Sequence, residues 1–112
     1  MTLFEKIGAG EIPARIVREA QDFLAFHDVN PQAPVHVLIV PRRVIARLAE
    51  AQHDDAELLG RMLIAAAEIA HELGIGASGF RIVINNGGDA GETIPHLHIH
   101  LLGGRRLAWP PG

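Results

Sequence analysis

Residues 95–102 read Pro-His-Leu-His-Ile-His-Leu-Leu, three histidines alternating with aliphatic side chains. A period of two belongs to a β-strand with two distinct faces. A strand here sets His96, His98 and His100 on one face and Leu97, Ile99 and Leu101 on the other. The aliphatic face demands a core. Three crowded imidazoles make a poor one, so that side must meet something small, anionic or metallic. The chain therefore has to build a sheet that is packed on one face and open to a ligand on the other.

The remaining sequence supplies such a sheet. Residues 80–85 form an apolar strand, and the glycine-rich stretch 86–93 returns it to the histidine strand as a hairpin. Residues 15–19 and 23–27 read as a second hairpin, followed by a turn-rich loop with Pro31 and Pro34. The run 36–41 is almost wholly apolar, as expected of a central strand buried on both sides. Leu58, Leu59, Met62, Leu63, Ala66, Ile69, Ala70 and Leu73 stripe one face of a long helix. Asp54 is its expected cap, Glu57 its box partner, and Gly74 and Gly76 its stop. Thr2 and Glu5 fit a capping box for a short N-terminal helix, and residues 44–50 suit another. The expected architecture is α+β: about five antiparallel strands, one long helix across one face, and a single domain over residues 1–112.

Bulk properties narrow the function. A net charge of -3 gives no general attraction for nucleic acid or an anionic membrane. With no cysteine there is neither a disulfide nor a thiolate metal site. No apolar run approaches the roughly 20 residues that span a bilayer, and residues 1–13 lack the pattern of a signal peptide. A soluble, cytoplasmic protein is expected.

Two ligands compete for the histidine face. Zinc favours imidazole, but alternate strand residues stand about 6.5–7 Å apart, which puts His96 and His100 about 13 Å apart. Zinc–nitrogen bonds of about 2 Å cannot close that gap on a straight strand, so no metal and no cofactor is expected. A phosphoryl group is wider and presents several oxygens. One imidazole can attack phosphorus while its neighbours donate to non-bridging oxygens, and mutual repulsion disfavours protonating all three. His98, in the middle, is best placed to attack. The loop through Gly91 can offer backbone N–H groups, and Thr93 adds a hydroxyl. Asp28, just past a strand end, suits sugar hydroxyls, whereas His27 and His36 taken alone read as structural.

The run His-Leu-His-Ile-His-Leu-Leu over residues 96–102 resembles the signature of the histidine triad superfamily. Residues 4–7, 11–14, 25–34 and His36 are similar to further segments of that family. The ending Gly103-Gly104-Arg105 with Trp109-Pro110-Pro111-Gly112 resembles its nucleotide-binding (Hint) branch. The resemblance implies a homodimer with a purine nucleotide site in each subunit. It further implies cleavage of nucleoside 5′-phosphoramidates through a nucleotidyl-histidine at His98, supported by His96 and His100. Phe4, Ile7, Phe26 and Val29 would form the base cleft beside His27, with Asp28 on the ribose. Asn85, Gly91 and Thr93 would meet phosphate or leaving group, and Trp109 the neighbouring subunit's site. A nucleotide-binding module with weak catalysis and a dinucleoside polyphosphate hydrolase are the alternatives. One position departs: many Hint members carry a histidine shortly after the proline that ends the central strand, and Val44 stands there. A shortened hydrogen-bond relay behind the triad is the expected consequence.

Overall fold

The computed structural model describes all 112 residues. The first helix, α1 (Leu3–Gly8), opens with the expected capping box. Thr2 Oγ1 accepts the Glu5 N–H at 3.1 Å, and Glu5 Oε1 accepts the Thr2 N–H at 2.8 Å. Five strands follow: β1 (Ile16–Glu19), β2 (Phe23–His27), β3 (Val35–Pro41), β4 (Phe80–Val83) and β5 (Ile99–Gly103). They form one antiparallel sheet in the order β1-β2-β3-β5-β4. The apolar strand β3 is central, as its composition requires.

The long helix α2 (Ala56–Glu72) crosses one face of this sheet. Leu58, Met62, Ala66, Ile69 and Ala70 pack there against Ala25, Val37, Ile39, Ile99 and Leu101. Leu63 of the expected stripe points outward instead, and Ala65 is buried in its place. Asp54 is not the cap. The box forms two residues earlier, Gln52 N–H donating to Asp55 Oδ2 at 2.7 Å across a 3-10 turn, His53–Asp55. Asp55 is buried there and pairs with Arg43, which holds it away from the helix N-terminus proper. At the other end Gly74 adopts a φ of 81°, and the Ile75 and Gly74 N–H groups bond to Ala70 and His71 carbonyls. Residues 44–50 yield only a 3-10 turn, Leu48–Glu50. No helix is long and apolar enough to cross a membrane.

The opposite face of the sheet carries the site. Leu24, Phe26, Leu38 and Val40 pack there against Phe4 of α1. On the same face β3 presents His36 and β5 presents His100, because Leu38 lies opposite His100 in the ladder. The histidine strand is shorter than its periodicity suggests and begins only at Ile99. Ile39 pairs with Ile99, so Pro41 would be the next partner for Leu97. Proline offers no N–H to that ladder. The Leu97 N–H bonds instead to the Ile45 carbonyl at 2.6 Å, and the segment bearing His96 and His98 leaves the sheet.

Candidate active site

His98 and His100 face each other across 4.9 Å between ring centroids and share the wall of a cleft of about 250 Å³. Partners of fixed character set the tautomer of each ring. His98 Nδ1 lies 2.8 Å from the His96 carbonyl, which can only accept. Nδ1 therefore carries the proton and Nε2 keeps its lone pair. Phe4 packs edge-on against this ring at 5.0 Å.

His100 is served by a residue that looks structural in the sequence. The Gln32 N–H points at His36 Nδ1 across 3.0 Å, and a backbone N–H can only donate. Neutral His36 thus carries its proton on Nε2, which lies 2.9 Å from His100 Nδ1. His100 accepts there, so its own proton sits on Nε2. That atom is buried and has no hydrogen-bond partner in the protein. A buried donor without an acceptor is costly. His100 lines the cleft next to His98, so this donor suits an anionic oxygen bound there. Burial above all, then the imidazoles of His98 and His36, lowers the His100 pKa to about 4, against an opposing pull from Asp28. Burial likewise lowers His36, again opposed by Asp28.

His96 occupies a different place. It is 1% exposed, and both ring nitrogens are taken: Nε2 donates to the Pro41 carbonyl at 2.7 Å, and Nδ1 accepts from Thr2 Oγ1 at 2.7 Å. It lies outside the cleft lining. Its work is to tie α1 to the end of β3 and to seat Phe4, whose ring it meets edge-on at 5.5 Å. Burial lowers its pKa, partly offset by the Pro41 carbonyl and Glu5.

Among the other expected contacts, the cleft gathers Phe4, Ile7, Phe26, His27, Asp28, Val29 and Thr93. Burial, with Arg15 nearby, lowers the His27 pKa. Val29 stands at the mouth, 95% exposed. Three expected residues are not brought in. Asn85 lies beyond the end of β4, and Gly91 supplies a left-handed turn at φ 82°. Trp109 is 81% exposed, with the Arg81 guanidinium 6.0 Å from its ring. Ile12, Pro13, Ala14, Leu38 and Ile94 extend the apolar wall beyond the expected set. Their apolarity is common to any core, which hid them in the sequence.

The loop before the triad is held from outside the cleft. Glu92 takes a bidentate grip from Arg47, with contacts of 2.9 and 3.1 Å, and accepts the Gly87 N–H at 3.0 Å. These bonds, the Arg47 contact first, lower its carboxyl pKa. The relay behind the triad is not shortened. His36 stands directly behind His100, while Val44 is 43% exposed on the outer side of the N-terminus.

A metal has one candidate place, where ligand atoms of Asp28, His36 and His100 lie within 4.8 Å of one another. Coordination at His36 Nε2 needs a lone pair there, yet the Gln32 N–H at Nδ1 puts the ring's proton on Nε2. The trio therefore fits a hydrogen-bond chain better than a coordination sphere.

The chain is similar to known proteins in sequence and fold. A family model described as "HIT domain" matches residues 9–107. An uncharacterized HIT-like protein of Synechocystis is 55% identical over 111 residues, 99% of this chain and 96% of the relative. A HIT family hydrolase from Legionella pneumophila superposes with a TM-score of 0.97 at 46% identity, covering 100% of both chains. A histidine triad nucleotide-binding protein from Candida albicans gives 0.83 at 29% identity, over 98% of this chain and 83% of its own. A five-stranded sheet with its histidines opposite the long helix, together with these matches, makes this chain a member of the HIT family.

Proposed function

We propose that this chain binds purine nucleoside monophosphates and hydrolyses the P–N bond of nucleoside 5′-phosphoramidates. One observation carries the reading: a fixed imidazole lone pair on His98 stands beside a buried, unpartnered N–H on His100. A nucleophile and an oxyanion donor in one cleft is what displacement at phosphorus requires. His98 Nε2 attacks phosphorus while His100 Nε2–H donates to a non-bridging oxygen. The P–N bond breaks, and the amine departs with a proton from water at the cleft mouth. The hydroxide left by that transfer attacks phosphorus and displaces His98, releasing the nucleoside monophosphate and the free imidazole. The apolar wall from Phe4 and Phe26 to Leu38 accepts the base, and Asp28 takes the sugar hydroxyls. No step calls for a metal or cofactor.

A homodimer belongs to this reading, supported by the outward Leu63 and Ile64 on α2. The test is AMP release from adenosine 5′-phosphoramidate, wild type beside His98→Ala, with EDTA present. Cleavage by the wild type alone is expected. AMP binding without cleavage by either protein would leave a nucleotide-binding module. Faster cleavage of a dinucleoside polyphosphate than of the phosphoramidate would favour that hydrolase instead.

A further inference from the structure

A second cavity, of about 310 Å³, adjoins a different face of α1 from the catalytic cleft. The cleft takes Leu3 and Ile7 of that helix, the cavity takes Glu5 and Gly8, and Phe4 lines both. Leu24, Val40 and Pro41 complete an apolar floor with the Phe4 ring. Two side chains of opposite charge, Glu5 and Arg42, line the same space. Each is anchored through one atom and has another to spare. Glu5 Oε1 accepts the Thr2 N–H at 2.8 Å, and no donor of the chain engages its second oxygen. Arg42 Nε donates to the Ala20 carbonyl at 2.9 Å, and Nη2 stands 3.8 Å from Glu19. Its Nη1 has no acceptor in the chain and lies 3.8 Å from where a Cβ on Gly8 would stand. No ion pair joins Arg42 to Glu5, although both border one cavity.

We propose that this cavity is a second binding site, for a free α-amino acid with an aliphatic side chain. The ligand carboxylate accepts from Arg42 Nη1, its ammonium donates to Glu5 Oε2, and its side chain lies on Leu24, Val40 and the Phe4 ring. Opposite charges held apart over an apolar floor match a zwitterion with an apolar body. A simple carboxylate leaves Glu5 without a partner, and a simple amine leaves Arg42 without one. Both charged groups are tethered before the ligand arrives, which spares much of the cost of ordering them on binding. The site uses none of the histidines and stands whether or not the chain cleaves phosphoramidates.

The experiment titrates the protein with L-leucine and with two isosteres that carry one charge each, 4-methylpentanoate and 3-methylbutylamine, followed by NMR. Leucine should produce saturable shifts at the Gly8 and Ala9 amides and the Phe4 ring. It should bind about tenfold or more tightly than either isostere. Arg42→Gln should weaken leucine about tenfold without weakening the amine. Glu5→Gln should weaken leucine about tenfold without weakening the carboxylate, and it keeps the capping box that holds α1. Gly8→Leu fills the cavity from a position with no left-handed φ and no close neighbour, and should abolish the leucine shifts at an unchanged urea midpoint. Where that midpoint falls, the two charge variants decide. No saturable shift with leucine, equal binding of all three compounds, or shifts confined to the catalytic cleft at Ala14 and Val29 overturns the proposal. None of these readouts depends on AMP release, so a failed phosphoramidase assay leaves the second site standing.

Discussion

Each histidine at the site has a separate task, set by what its nitrogens touch. His36 holds the His100 tautomer through a 2.9 Å bond, so His36→Ala should lower kcat by roughly 10- to 100-fold with little change in KM. Steady-state kinetics check this. Val44→His should leave both parameters nearly unchanged, because Val44 is exposed and lies outside the cleft lining. Buried neutral imidazoles also make stability depend on pH. The folded pKa of His100 is about 4 against an ordinary 6.5, so in acid the unfolded chain binds protons that the folded chain refuses. Stability from this group is full above pH 6.5 and is lost progressively as pH falls toward 4. His36 and His96, lowered in the same direction, add to the slope. Urea midpoints across that range should fall with acidification, and His100→Gln should flatten the curve. The triad itself was plain in the sequence, as a run of alternating residues. His36 was not, since it reaches His100 across 64 positions of chain and through a ladder register that only folding sets.

At the scale of elements, α1 depends on few contacts. Phe4 is its one buried residue, and Thr2 joins helix cap to site by accepting from Glu5 and donating to His96. Thr2→Val should cost about 1–2 kcal/mol, seen as a lower urea midpoint and faster exchange of the Glu5 amide. Thr2→Ser should restore both. The end of β5 is tight in another way. A Cβ on Gly103 would come within 2.5 Å of Ile75 Cδ1 and 3.2 Å of its Cβ, so Gly103→Ala must move the Ile75 side chain out of its buried place. Thermal denaturation should show it destabilised, by about 1–3 kcal/mol. Strands and the long helix were legible because their periodicities are long and uninterrupted. The start of β5 was not, because it turns on the N–H that Pro41 lacks on a strand 56 positions before Leu97. Nor was the α2 cap, since both Asp54 and Asp55 suit one, and the contacts of Asp55 with Gln52 and Arg43 form only in the fold.

Taken whole, the molecule divides its sheet between two tasks. One face is sealed by α2 into a dry core, and the other holds two aromatic rings, a carboxylate and a relay of imidazoles. Trp109 and the outer face of α2 remain exposed and are accounted for by the proposed homodimer. Trp109 lies outside the cleft of the single chain, and in the proposed homodimer it would reach a neighbouring site. The central claim concerns one atom, His98 Nε2. Its most direct test is mass spectrometry of the protein quenched within milliseconds of mixing with adenosine 5′-phosphoramidate. An adenylyl group bound to His98, absent in His98→Ala, is expected. Release of AMP with no adduct in repeated early quenches, or an adduct on another residue, would contradict it.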